Sequence, residues 1–330
     1  VASGSHTLSD VSAQELQPIK PCLENDDVTE PVYHPEQQID ANGLRLNFDS
    51  FGDPAHPVMI LVMGLATQMI FWDKKFCRHL AQQGYWVIRF DNRDIGKSTW
   101  LKTAKVPGAL AFLSNIVFAK KMKAPYLLDD MANDTLALMD ALTIAKAHVV
   151  GASMGGMIAQ IMAIKAPQRV ASLTSIMSTT GDRSLPKPNK ATSLKLLGSP
   201  PREEQAFIKH GVDIWRILHG DHYPFEEERI THMLQKARAR GVNPAGVSRQ
   251  LAAILGSADR TSTLSALKMP CLVIHGDADP LVPVECGKAT AKAIPHAQLK
   301  IYPGMGHTIP VEIAADIIQT IVSMTKAADE

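Results

Sequence analysis

The sequence predicts an α/β fold on a mostly parallel sheet, with a block of helices inserted late in the chain. Three observations carry this. Short aliphatic and β-branched runs alternate with stretches of helical periodicity, and strands alternating with helices imply parallel pairing with right-handed crossovers. The run VMILVM is apolar at every position, as a strand covered on both faces must be. Between residue 182 and about 262 the alternation stops and only helical stretches are found.

Composition bounds the function classes. The 330 residues suit one large domain with an insertion. Hydrophobic residues make up 45% and charged residues 20%, enough apolar matter for a sizeable core. The formal net charge of +1 supplies no field to recruit nucleic acid or an anionic membrane. A small molecule in a pocket is therefore the expected partner. The four cysteines, Cys22, Cys77, Cys271 and Cys286, form no CxxC pair. They argue for free thiols in a reducing compartment rather than a zinc site, so a cytoplasmic location is expected. No apolar run reaches the roughly 18–20 residues a bilayer span needs. The opening VASGSHTLSD has no basic stretch leading into an apolar one, so it is no intact secretory signal.

Taken in order, residues 1–37 are polar, rich in Asp, Glu and Pro, and without periodicity; they read as a tail or arm. Residues 38–181 and 263–330 are expected to form the core. LRLNF alternates, which suits an edge or antiparallel strand. PVMILVMG is the buried strand, a helical stretch closes at Gly84, and WVIRFDN is the next strand. DDMANDTLALMDALTI, residues 129–144, has helical spacing and acids in its first turn, where the helix dipole favours them. AHVVG is a strand, SMGGMIAQIMAIKAP a helix stopped at Pro167, and RVASLTSIM a strand. After the insertion, PCLVIHG, VECGKATAKAI, AQLKIYPG and IPVEIAADIIQTIVSMTK repeat strand, helix, strand, helix. The insertion itself, 182–262, contains REEQAFIKHGVDIWRIL, FEEERITHMLQKARAR and PAGVSRQLAAIL. An insertion at the carboxyl end of a parallel sheet lies over the binding crevice, so this block is expected to be a cap.

Chemistry concentrates at the turn after AHVVG. Gly151-Ala152-Ser153-Met154-Gly155 is G-x-S-x-G between a strand and a helix, the context that makes the motif a nucleophile elbow. Gly151 and Gly155 lack side chains, so strand and helix can approach. A dinucleotide loop would need glycine at 153. A serine needs a base, and the base needs an orienting acid. DADPLVP, after one late strand, offers Asp277 and Asp279; GMGHTIP, after the next, offers His307. Asp279 lies deeper in its loop and is preferred, with Asp277 as a turn residue. Oxyanion donors are expected from the backbone N–H of Met154 and, in the loop after VMILVMG, of Leu65.

Other segments invite rival readings. DNRDIGKST ends in G-K-S, but a phosphate loop needs glycine where Asp91 stands, so it reads as a turn with Asp91, Arg93 and Asp94 in a charge network. HGDH, residues 219–222, offers too few ligands for a metal. No cofactor or metal is expected. PGALAFLSNIVFAKKMK, residues 107–123, suits a helix at the pocket mouth or a membrane-touching lid. Phe112, Trp215 and Leu281 could line an apolar pocket and equally suit the core.

Together MGLATQMIFW, VIRFDNRDIGKS, GASMGGMIAQ, LVIHGDADPLVP and GMGHTIP resemble α/β-hydrolase-fold serine hydrolases. The likeness is to the bacterial esterases of the aclacinomycin methylesterase and haloperoxidase-like group, over about residues 38–325. It implies a mostly parallel eight-stranded sheet flanked by helices. It also implies Ser153 as nucleophile, Asp279 as acid, His307 as base, and a helical cap that sets substrate choice. Many relatives carry His-Gly where this chain has Met63-Gly64. The expected activity is carboxylic-ester hydrolysis through an acyl-enzyme. Lipase, thioesterase and perhydrolase activity use the same residues, and a non-catalytic binding protein is the rival from another class.

Overall fold

The computed structural model describes residues 30–108, 111–112, 114, 122–188 and 200–329. Eight strands form one sheet: β1 (Tyr33–Ala41), β2 (Leu44–Phe51), β3 (Val58–Val62), β4 (Trp86–Phe90), β5 (Ala147–Ala152), β6 (Val170–Ile176), β7 (Cys271–Gly276) and β8 (Gln298–Tyr302). Their order is β1-β2-β4-β3-β5-β6-β7-β8. Only the β1–β2 and β2–β4 pairs are antiparallel; β4, β3, β5, β6, β7 and β8 run parallel.

Among the described residues the α-helices in chain order are α1 (Lys74–Gln82), α2 (Leu128–Ala141), α3 (Met154–Lys165), α4 (Glu204–His219), α5 (Glu227–Arg240), α6 (Pro244–Gly256), α7 (Thr261–Leu264), α8 (Val284–Ala293) and α9 (Val311–Asp329). The continuous apolar runs are explained by what covers them. In β3, Ile60 and Val62 face a core shared with α2 and α3, through Leu138, Met139, Ile158 and Met162. Met59 and Leu61 face the opposite core, shared with α1 and α9 through Leu80, Ile317 and Ile321. Period-two alternation persists, but both faces are apolar because both are covered.

One expectation is corrected at the sheet's amino-terminal edge. The polar segment 33–37, placed in the tail, is strand: Tyr33 pairs with Phe51 and His34 with Ser50. An edge strand tolerates polar residues and a proline, and the register slips between His34 and Gln37, around Pro35. The alternating LRLNF, expected as an edge or antiparallel strand, is antiparallel to both β1 and β4. Its polar residues are buried: Asp49 takes two bonds of 2.7 Å from the Arg89 guanidinium on β4. The parallel strands β3, β5, β7 and β8 all end on one side of the sheet. Their following loops carry Leu65, Ser153, Asp279 and His307.

Between β6 and β7 the described chain holds α4, α5, α6 and α7 and no strand. Three buried contacts tie these helices to the core. Arg249 on α6 grips Asp94, with bonds of 2.8 and 2.6 Å. Arg240, at the end of α5, pairs with Asp91 and Glu36. The carbonyl of Leu218 on α4 accepts the His307 N–H at 2.6 Å. Asp91, Arg93 and Asp94 therefore do not form a network among themselves. Each carboxylate reaches an inserted helix, and Arg93 pairs with Asp134 on α2. Asp94 itself stands in the left-handed region, at φ 67°.

Among the described residues, Cys77, Cys271 and Cys286 are free, and no helix is long and apolar enough to cross a membrane. Residues 1–29 and most of 107–123 lie outside the described residues, and with them most of the tail and lid readings.

Candidate active site

The elbow forms because its neighbours leave no alternative. Ser153 stands at φ 55° and ψ −118°, a conformation a side-chain-bearing residue adopts only when its surroundings hold it. Its N–H donates to Ile176 O at 2.9 Å on β6. Its own carbonyl accepts from the Gly156 N–H at 2.9 Å and the Ser178 hydroxyl at 2.8 Å. A Cβ on Gly151 would collide with the Gly155 carbonyl, and one on Gly155 with the carbonyl of Val62. Both glycines are therefore fixed by the crossing of β3, β5 and α3.

The loops after β7 and β8 bring the other two residues in. His307 Nε2 lies 3.0 Å from Ser153 Oγ, and Nδ1 lies 2.7 Å from Asp279 Oδ2. All three side chains come from different strand ends and meet in a shielded place: Asp279 is 7% exposed and His307 8%. Asp279 Oδ1 also accepts the N–H groups of Leu281 and Val282, both at 2.8 Å. Burial pushes the Asp279 carboxyl up. The attraction of the His307 imidazole, its hydrogen bond, the neighbouring His275 and the Val282 amide together outweigh burial and hold the carboxyl well below its usual range. An ionised carboxylate only accepts, so Nδ1 of His307 carries the proton it donates, leaving Nε2 to accept from the Ser153 hydroxyl.

Both segments expected to supply oxyanion donors adjoin Ser153. A Cβ added to Gly64 would sit 3.2 Å from Ser153 Cβ and 3.7 Å from its Oγ, so the loop after β3 borders the serine. Met154 opens α3, where the first N–H groups have no partner inside the helix. Neither the Leu65 nor the Met154 amide has an acceptor among the described residues.

Other expected residues fall differently. Asp277, expected as a turn residue, accepts the Gly304 N–H on Oδ1 at 2.6 Å and so anchors the loop that carries His307. Leu281 serves Asp279 through its backbone. Trp215 stacks on Phe71, ring centroids 4.8 Å apart, in a small apolar cluster with Ile230 and Leu234. Phe112 is half-buried. In HGDH, His219 bonds Thr308 Oγ1 at 2.8 Å and the Tyr223 carbonyl at 3.2 Å, which docks α4 against the His307 loop. No cluster of metal-binding side chains is found among the described residues. A cleft of about 430 Å³ between α4 and α5, bordered by Ile208, Val212, Arg216 and Glu227, touches none of Ser153, Asp279 and His307.

Two neighbours escaped the sequence reading. His275, fully buried on β7, places Nε2 3.6 Å from Asp279 Oδ2 and 2.8 Å from the Val282 carbonyl. Gln250 on α6 reaches the loop that carries Leu65. Histidine before glycine in CLVIHG was a visible signal for the first; the second had none.

Residues 57–312 match the model of the α/β hydrolase fold family. The chain belongs to this family and is a hydrolase of the esterase type. It is 28% identical to a rhodomycin D methylesterase of Streptomyces peucetius over 315 residues, 89% of this chain and 99% of that one. It is 24% identical to 3-oxoadipate enol-lactonase 2 of Acinetobacter baylyi over 280 residues, 82% of this chain and 90% of that one. Among solved structures, the enol-lactonase of Burkholderia xenovorans LB400 superposes with a TM-score of 0.65 at 21% identity. That match covers 88% of this chain and all of the other.

Proposed function

We propose that the chain is a serine-dependent carboxylic-ester hydrolase that works through an acyl-enzyme on Ser153. The carrying observation is the continuous hydrogen-bonded line from Ser153 Oγ to His307 to Asp279, set on a strained elbow. His307 Nε2 takes the hydroxyl proton as Ser153 Oγ attacks the ester carbonyl. The N–H groups of Leu65 and Met154 hold the oxygen that becomes negative, a contribution of about 3–4 kcal/mol per donor in such sites. His307 then gives its proton to the leaving alcohol as the tetrahedral adduct collapses. Water attacks the acyl-enzyme with His307 again as base, and Ser153 is restored. Asp279 stays ionised throughout and keeps the ring in the required tautomer.

The inserted helices serve as the cap over this site. Relatives named as methylesterases span almost the whole chain and support a methyl ester of a small-molecule acid as the first substrate class to test. The enol-lactonase relative supports internal esters as the next. The chain's own residues supply every step written here, with no cofactor.

Hydrolysis of p-nitrophenyl acetate by the wild type and Ser153→Ala tests the reading. The variant is expected to lose at least about 10⁴-fold in kcat. Equal rates in the two proteins would overturn it.

A further inference from the structure

We propose that Gln250, on α6 of the inserted helices, is a positioning residue that fixes the direction of the Leu65 N–H. The inference rests on the reading of Leu65 as an oxyanion donor. The loop leaving β3 is pinned group by group. Asn92 Nδ2 donates to the Met63 carbonyl at 3.0 Å, and the Thr67 hydroxyl to the Gly64 carbonyl at 3.0 Å. The Ala66 N–H donates to Gln250 Oε1 at 3.2 Å. Leu65 thus stands between two held peptide planes. The plane before it contains the Gly64 carbonyl and the Leu65 N–H together, and Thr67 holds that carbonyl. The plane after it contains the Ala66 N–H, and Gln250 holds that. With both planes fixed, the two backbone torsions of Leu65 are fixed, and so is the line along which its N–H points.

Three further facts favour this role over plain filling of space. Gln250 is fully buried, and a buried amide is costly unless its groups are bonded. Its other end is bonded too: Nε2 donates to the Arg93 carbonyl at 2.8 Å, so the Oε1 atom is presented in one orientation. Ala66 sits at φ 61°, a left-handed conformation that alanine keeps only under external restraint. Nearby, Gln68 Nε2 donates to the carbonyls of Ala237 and Gly241, at 2.8 and 2.9 Å, so the inserted helices grip the same loop twice. The insertion thereby helps to build the apparatus that stabilises charge, besides covering it.

The test measures p-nitrophenyl acetate hydrolysis and inhibition by phenylboronic acid, whose adduct on a serine mimics the tetrahedral oxyanion. It uses the wild type, Gln250→Met and Ser153→Ala, with thermal unfolding to show that each is folded. Methionine fills the same space without an acceptor for Ala66. Gln250→Met is expected to lower kcat and kcat/KM together by about 10- to 100-fold, and to weaken the boronic acid by a similar factor. A folded Gln250→Met with kcat and boronic-acid affinity within about twofold of the wild type, beside an inactive Ser153→Ala, overturns this proposal alone. So does a rise in KM at unchanged kcat. Full activity in Ser153→Ala overturns the proposed function and this inference with it. Should Gln250→Met not fold, Gln250→Asn, one methylene too short to reach both partners, is judged by the same outcomes.

Discussion

The proposed nucleophile is held by geometry more than by sequence neighbours. Ser153 is strained, and its strain is supported from three sides by Ile176, Ser178 and the packed glycines. Asp279 is the next most constrained group, with three hydrogens directed at its two oxygens from Leu281, Val282 and His307. Replacing it by asparagine puts an amide where only an acceptor fits. Asp279→Asn is expected to lower kcat by about 10³- to 10⁴-fold with the fold intact, measured with the same ester. A second consequence follows from its titration. The folded carboxyl ionises at lower pH than the unfolded one, so its stabilising effect is complete above about pH 4 and is lost as the pH falls through the folded value. The gap in urea midpoint between wild type and Asp279→Asn should therefore hold constant from neutral pH to about pH 5 and shrink below pH 4. A gap independent of pH down to acid unfolding would show that this carboxyl is not held ionised. At this scale the sequence was legible where chemistry is local. G-x-S-x-G carries its own turn, and Asp279 and His307 each follow a recognisable strand. Gln250 and His275 were illegible because their roles depend on partners distant in sequence or on the far side of a turn.

Among the elements, the inserted helices are bound to the core through charge as well as apolar packing. Arg249 and Asp94 are both buried, and Asp94 also accepts from Tyr126 and from the Leu101 N–H. Removing the guanidinium leaves a carboxylate short of its main partner, which costs about 3–5 kcal/mol in buried pairs. Arg249→Met is expected to lower the urea midpoint accordingly, and kcat with it, because α6 also carries Gln250. An unchanged midpoint would mean that apolar contacts alone seat the insertion. The helical block was readable from periodicity, as were the buried strands. What bound the block to the core was not, since the turn DNRDIG reads as self-contained until its acids are seen to point at α5 and α6. Strand β1 was missed for a different reason. Its residues are polar, and only the pairing offered by β2 makes them a strand.

Across the whole molecule, the sheet is what assembles the site. Parallel strands end together, so loops after β3, β5, β7 and β8 meet although they lie up to 242 residues apart, from Leu65 to His307. The insertion enters between β6 and β7 and returns over the same end, where it touches the Leu65 loop through Gln250 and the His307 loop through Leu218 and His219. Stability and function are thus coupled across the fold: the contacts that seat the insertion also orient groups assigned to the reaction. The fold and the three side chains proposed to react could be read along the chain, whereas this coupling could not, because it lives in contacts between a late insertion and early loops.

The most direct test of the central claim is to trap the intermediate. Wild type, Ser153→Ala and His307→Ala are mixed with p-nitrophenyl acetate, quenched in acid within a turnover, and examined by intact-protein and peptide mass spectrometry. The proposed mechanism requires one acetyl group on the wild type, located on Ser153, and none on Ser153→Ala. Acetylation at the same rate in Ser153→Ala, or turnover by a wild type acylated on some other residue, would contradict it.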